Sequence, residues 1–178
     1  MYIETERLII RDLEPADADV FAEMAADGML SDIWGVCESY SWMEDWINEA
    51  MELSSQDNPW QNYLAYAIVR KTDGKVVGSV GCSVYLDLKE IGITYFLGSS
   101  YRKNGYAKEA VKAYTLCFLD RYKDIPRLIA TIRTENIVSC KTAEGAGYSL
   151  NETRMYKDID DSEEQEYNFY SFERRKQE

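Results

Sequence analysis

Two hydrophobic periods alternate along the chain, and their order lays out its elements. Ile3-Glu4-Thr5-Glu6-Arg7-Leu8-Ile9-Ile10-Arg11 alternates apolar and polar residues before turning more apolar, the pattern of one partly buried strand. Glu14-Pro15-Ala16-Asp17 turns from it into a helix, with Asp17 and Asp19 in the first turn, Val20, Phe21 and Met24 on one face, and Gly28 as the stop. A second helix is expected from Ser41 through Leu53, where Trp42, Trp46, Ile47, Ala50 and Met51 form a stripe. Its aromatic face could line a cleft, but large apolar residues at helical spacing are far more often core than ligand surface.

Beyond the polar loop Ser54 to Pro59 the period shortens again. Tyr63 to Val69 and Val76 to Tyr85 read as strands joined across Thr72-Asp73-Gly74-Lys75, since Asp-Gly between β-rich runs is a strong hairpin signal. Gly78 and Gly81 imply close packing there. Ile91-Gly92-Ile93-Thr94-Tyr95-Phe96-Leu97-Gly98 completes an antiparallel meander. A helical stripe follows, with Ala107, Ala110, Val111, Tyr114, Cys117 and Phe118 on one face. Leu128 to Arg133 reads as a strand parallel to Ile91–Gly98, because a crossover helix joins the two. Asn136 opens another helix that Gly147 closes, and Ser149 to Ile159 with Gln165 to Phe172 suggest a final hairpin. There is no internal repeat or low-complexity linker, so residues 1–178 read as one domain.

Between the meander and its helix, Ser99-Ser100-Tyr101 breaks the strand and Arg102-Lys103-Asn104-Gly105-Tyr106-Ala107 leads into the helix. The first amides of a helix have no internal partner and point at whatever approaches, which suits an anion such as phosphate. Arg102 and Lys103 add charge, Gly105 permits close backbone approach, and Ala107 leaves room. The loop lacks the Gly-Lys-Ser/Thr ending of nucleoside-triphosphate loops, which sets that alternative aside.

Composition narrows the chemistry. A net charge of −12 disfavours nucleic acid or an anionic membrane as partner and suits a cationic one. No apolar run is long enough for a transmembrane helix and no basic-then-apolar leader is present, so a cytoplasmic protein is expected. Cys37, Cys82, Cys117 and Cys140 form no C-x-x-C pair, as expected for reduced thiols. The absence of histidine removes Ser-His and Cys-His dyads and the commonest catalytic zinc ligand, and no metal is expected.

The chain resembles the GNAT superfamily of acyl-CoA N-acyltransferases from Tyr2 to Glu173, in three places. Arg102 to Ala107 fits the pyrophosphate loop Gln/Arg-x-x-Gly-x-Gly/Ala between the expected strand and helix. Asn136-Ile137-Val138-Ser139, followed by Glu144-Gly145-Ala146-Gly147-Tyr148, is similar to the N-x-x-S…E-K-L-G-F signature of the branch containing ribosomal-protein-alanine acetyltransferases. Ile3 to Arg11 is similar to that branch's T-E-R-L-x-L-R start. The resemblance implies an α+β fold: a mostly antiparallel sheet of six to seven strands flanked by helices, with a parallel pair opened by the CoA-binding strand, loop and helix.

It further implies acetyl transfer from acetyl-CoA, as cosubstrate, to a cationic amine acceptor, by direct attack of the neutral amine, in a monomer or homodimer. Backbone groups of Phe96, Leu97 and Gly98 would pair with the pantetheine arm, one of them polarising the thioester oxygen. Arg102, Lys103, Asn104, Gly105, Tyr106 and Ala107 would hold the pyrophosphate. Asn136 would contact the CoA arm or hold a water, and Ser139 would donate a hydrogen bond near the sulfur, although both residue types also suit helix capping. Many members place a Tyr where this chain has Ala143, which leaves Ser139, a water, Cys140 or no dedicated group to protonate the thiolate. Glu90 lies near the carboxylate base of some members but one residue displaced. It is a candidate base if a β-bulge redirects it; otherwise it is a surface carboxylate and water takes the proton. The acidic run from Asp158 to Glu166 reads as a solvated turn rather than a substrate clamp. The alternative from another class is a CoA-binding sensor or module without acceptor chemistry.

Overall fold

The computed structural model describes residues 1–35, 39–159 and 161–174. Eight strands form one sheet: β1 (Tyr2–Glu4), β2 (Leu8–Asp12), β3 (Leu64–Arg70), β4 (Val76–Tyr85), β5 (Glu90–Leu97), β6 (Arg127–Arg133), β7 (Ser149–Tyr156) and β8 (Gln165–Glu173). Their spatial order is β1-β2-β3-β4-β5-β6-β8-β7, and every neighbouring pair is antiparallel except β5 with β6. Helices α1 (Asp17–Ala25), α2 (Ser31–Trp34) and α3 (Met43–Gln56) precede the meander; α4 (Tyr106–Arg121) makes the crossover, and α5 (Ile137–Ala146) precedes the final hairpin.

The expected run of six to seven strands is eight because Ile3 to Arg11 is two strands. The Thr5 amide donates to the Leu8 carbonyl at 2.9 Å and the Thr5 hydroxyl accepts the Leu8 amide at 2.9 Å, reversing the chain so that Tyr2 lies opposite Arg11. Such side-chain bonds offer the backbone a turn in place of an extended ladder. The short α2 was not apparent from the pattern, and β7 ends at Tyr156 rather than Ile159. The acidic run is also not wholly solvated: Asp161 is buried, accepting from the Tyr167 hydroxyl at 2.8 Å and from Arg133. Burial alone would raise the Asp161 carboxyl, but the hydrogen bonds from Tyr167, the Asp158 amide and Arg133 hold it below its ordinary value. Asp160 and Cys37 lie outside the described residues; Cys82, Cys117 and Cys140 are free thiols.

Both faces of the sheet are covered. On one, Ile91, Ile93 and Leu97 of β5 pack with Val80 and Cys82 of β4 beneath Ala110, Val111, Tyr114 and Phe118 of α4 and Ala143 of α5. On the other, Phe96 joins Phe21, Trp34 and Trp46, with ring centroids 4.6 Å apart for Trp34 and Phe96. Trp46 of α3 and Trp42 at its N-cap are therefore half-buried packing groups, while Ile47 and Ala50 are fully buried. Strand β5 is thus fixed from both faces.

Gly81 shows how tightly β4 is held, since a Cβ there would collide with the Leu64 carbonyl oxygen of β3. Overpacking against backbone cannot relax by a rotamer change. Gly81→Ala is expected to destabilise the protein by about 2 kcal/mol or more, read as a lowered midpoint in denaturant unfolding.

Candidate functional site

The site begins where the sheet stops being continuous. β5 pairs with β4 along its whole length, from Tyr85 opposite Glu90 to Gly78 opposite Leu97, but its register with β6 holds only Gly92 and Ile129. Past that point the strands part. The Gly98 amide donates to the Val77 carbonyl at 3.0 Å, and alternation then directs the Phe96 backbone toward β4 and the Tyr95 and Leu97 backbones into the gap. Of Phe96, Leu97 and Gly98, Leu97 is therefore the residue whose backbone turns to the gap, together with Tyr95, which the sequence reading did not include. Sequence shows that a strand is present but not which of its edges will be unpaired.

The loop sits at the end of that gap. Ser99–Tyr101 forms one 3-10 turn, Lys103 and Gly105 take left-handed φ values of 63° and 78°, and Gly105 is the N-cap of α4 without any side-chain capping bond. The amides of Tyr106, Ala107 and Lys108 thus open α4 without internal partners. Lys103 and Asn104 are exposed, and Tyr106 and Ala107 half-buried. Asn104 Nδ2 braces the turn by donating to the carbonyls of Tyr101 and Arg102 at 3.2 and 3.0 Å. Arg102 is used structurally: Nε donates to the Leu97 carbonyl at 3.2 Å and Nη2 to the Met29 carbonyl at 2.9 Å, tying the loop to the end of β5. A cavity of about 180 Å³ adjoins this tie, lined by Met24, Asp27, Gly98, Ser99 and Tyr101 among others.

Arg7 is a loop residue that the sequence reading missed. Its Nη1 donates to the Asn104 carbonyl at 2.8 Å, its Nε donates to Glu109 Oε2 at 2.7 Å, and its guanidinium lies 4.9 Å from the Tyr106 ring centroid. Glu109 also accepts from the Thr5 hydroxyl at 2.6 Å and the Arg7 amide at 2.9 Å. Burial would raise the Glu109 carboxyl, but these bonds from Thr5 and Arg7 hold it below its ordinary value. An acidic side chain in the first turn of α4 would oppose an anionic ligand; the Arg7 pair cancels it.

Across the gap, Asn136 is the N-cap of α5, its Oδ1 accepting the Ser139 amide at 3.1 Å. The capping role is thus present, on the exposed end of a helix facing the parted strands. Ser139 is half-buried, and the Tyr95 hydroxyl donates to its carbonyl at 3.2 Å, linking β5 to α5. Ala143 is buried and carries no proton to give. Cys140 is buried, with its Sγ 3.5 Å from Asn168 Nδ2. Glu90, at the start of β5, is held by Arg127, whose Nε donates to Oε1 at 3.0 Å. Its register with β4 is unbroken, so no bulge redirects it. Among the described residues no group of three His, Cys, Asp or Glu is placed to hold a metal ion.

The site is thus built on a central strand parted from its parallel neighbour, ending in a glycine loop and a helix start without a side-chain cap. The chain belongs to the acetyltransferase (GNAT) family, whose domain model matches residues 7–149. Solved structures share the whole fold. A GNAT-family acetyltransferase from Bacillus anthracis is 22% identical with a TM-score of 0.79, the match covering 97% of this chain and 98% of that one. A RimL ribosomal-protein α-N-acetyltransferase in complex with coenzyme A is 16% identical with a TM-score of 0.79, covering 97% and 98%. A microcin self-immunity acetyltransferase in complex with acetyl-CoA and AMP is 18% identical with a TM-score of 0.74, covering 95% and 93%. No curated protein matches the chain by sequence.

The Arg7 clamp is testable without a ligand. Arg7→Met is expected to cost about 1 kcal/mol of stability, because the pair is half-exposed, and to speed amide exchange at Lys103–Tyr106 while leaving the β7–β8 hairpin unchanged. Equal exchange in the loop of both proteins would remove the clamp from the account.

Proposed function

We propose that this protein is an N-acetyltransferase that moves the acetyl group of acetyl-CoA to a primary amine, on a peptide N-terminus or a small molecule, by direct attack in a ternary complex. The observation that carries the reading is the parted edge of β5 beside the uncapped start of α4. The gap-facing backbone of Tyr95 and Leu97 can pair with the amides of the pantetheine arm as an added strand, and a backbone N–H there can polarise the thioester carbonyl. The loop from Arg102 to Ala107 takes the pyrophosphate on its amides, with Lys103 the exposed cation beside it.

Binding in this geometry converts an encounter of two reactants into an oriented one, and no covalent enzyme intermediate is needed. Asn136 and Ser139 stand at the wall nearest the sulfur, Asn136 holding the first turn of α5 in place. Glu90 stays with Arg127, so the ammonium's proton leaves through water. The acidic balance of −12 favours a cationic acceptor. Support for the amine class comes from relatives of the same fold, one described as an α-N-protein acetyltransferase.

The second reading, a CoA-binding module without acceptor chemistry, is favoured by two observations: the buried alanine at 143 and the ion pair that engages Glu90. One experiment separates the two. Purified protein is mixed with acetyl-CoA and a broad panel of primary amines, and free thiol is measured alongside calorimetry. Thiol release with at least one amine is expected; binding without release from any amine would establish the module. Gly105→Glu in the same calorimetry is expected to abolish binding, through bulk and negative charge at the pyrophosphate, with the fold retained by circular dichroism. Unchanged affinity in that variant would move the site elsewhere.

A further inference from the structure

Acetyl transfer to an amine expels a thiolate, and α5 offers no acid at Ala143, which is buried and apolar. A phenol stands on the opposite wall. Tyr95 lies three residues beyond Gly92, the last residue of β5 in register with β6, so its backbone faces the gap. Its half-buried ring packs on the face covered by α4 and α5, and its hydroxyl reaches the first turn of α5. There it donates to the Ser139 carbonyl at 3.2 Å. The phenol therefore bridges the two walls between which the thioester is placed by the reading above.

We propose that Tyr95 is the catalytic acid of this transfer, handing its phenolic proton to the departing sulfur. The inference rests on the transferase reading and adds to it a group that is not part of the helix. As the amine nitrogen bonds to the carbonyl carbon, the C=O π pair moves to oxygen. When that pair returns, the C–S bond breaks, sulfur keeps its electrons and takes the Tyr95 proton, and a neutral thiol leaves. The nitrogen sheds one proton as the amide forms, and that proton restores the phenol through solvent, so no other reactant is needed.

Burial pushes the Tyr95 phenol up to about 12, so it holds its proton at neutral pH and gives it up uphill to a thiolate, the step being completed only as the nitrogen's proton restores the phenol. One feature suits the task. The hydroxyl's bond in the ligand-free protein is to a carbonyl, a partner it can exchange for a thiolate without leaving a buried donor unpaired.

A brace between β5 and α5 is the competing role, and Tyr95→Phe distinguishes the two because it keeps the ring and removes the proton. With an amine that the wild type accepts, kcat is expected to fall about 100-fold while the Kd for acetyl-CoA changes by less than about twofold and the unfolding midpoint is nearly unchanged. Turnover in the variant within about threefold of an active wild type would overturn the assignment and leave the transferase reading standing. Loss of turnover together with loss of binding or folding would overturn it in favour of the brace. A wild type that binds acetyl-CoA yet releases no thiol with any amine would instead defeat the transferase reading itself.

Discussion

Two neighbouring parallel strands in the middle of the sheet meet at Gly92 and Ile129 and then separate, and the remaining site is arranged around that separation. Leaving the backbone of a central strand unpaired is costly, since each buried N–H or C=O without a partner forfeits about 1–3 kcal/mol. The fold tolerates it because β5 is secured elsewhere: β4 pairs its other edge throughout, α4 covers one face, and the Phe21, Trp34 and Trp46 cluster grips Phe96 on the other. Arg102 takes up the Leu97 carbonyl at the end of the strand, and the Tyr95 hydroxyl ties it to α5. A ligand that offers amides to the open edge completes a ladder the protein leaves unfinished.

Electrostatics make the same end of the gap fit for an anion in a chain of net charge −12. The uncapped amides of α4 and exposed Lys103 face outward, while the acidic residue in the first turn of that helix, Glu109, is neutralised by Arg7. Arg7 thereby joins the first hairpin of the chain to the glycine loop, so that residues about a hundred positions apart share one small structure. The T-E-R-L stretch that opens the chain thus has a local reason to be near the loop: Thr5 and Arg7 both bond Glu109.

Much of this was legible in the sequence. The meander, the glycine loop, the crossover helix and the capped start of α5 all follow from local rules of period, turn chemistry and capping, and each lies within one or two residues of its expected place. What escaped was set by distant contacts. Ile3 to Arg11 has the alternation of one strand, and only the Thr5 bonds with Leu8, with the Thr5 hydroxyl donating to Glu109, show why it folds into two. Asp161 sits in an acidic run that any local rule sends to solvent, yet Arg133 and Tyr167 of neighbouring strands draw it in. Likewise, the identity of the open edge of β5, and so the choice of Tyr95 and Leu97 over Phe96 and Gly98, depends on register with β4, which no periodicity states. Glu90 is a similar case: the carboxylate is where the sequence placed it, and its partner Arg127 is visible only once β6 lies beside it.

The central claim is that the open edge of β5 and the start of α4 are one binding surface for acetyl-CoA. Residue-resolved amide hydrogen exchange, with and without saturating acetyl-CoA, tests it most directly. The account predicts new protection at the amides of Tyr95, Leu97 and Lys103 to Lys108, with the exposed edge strand β7 unaffected. Protection confined to other elements, or none along β5 in protein shown to be saturated, would contradict it.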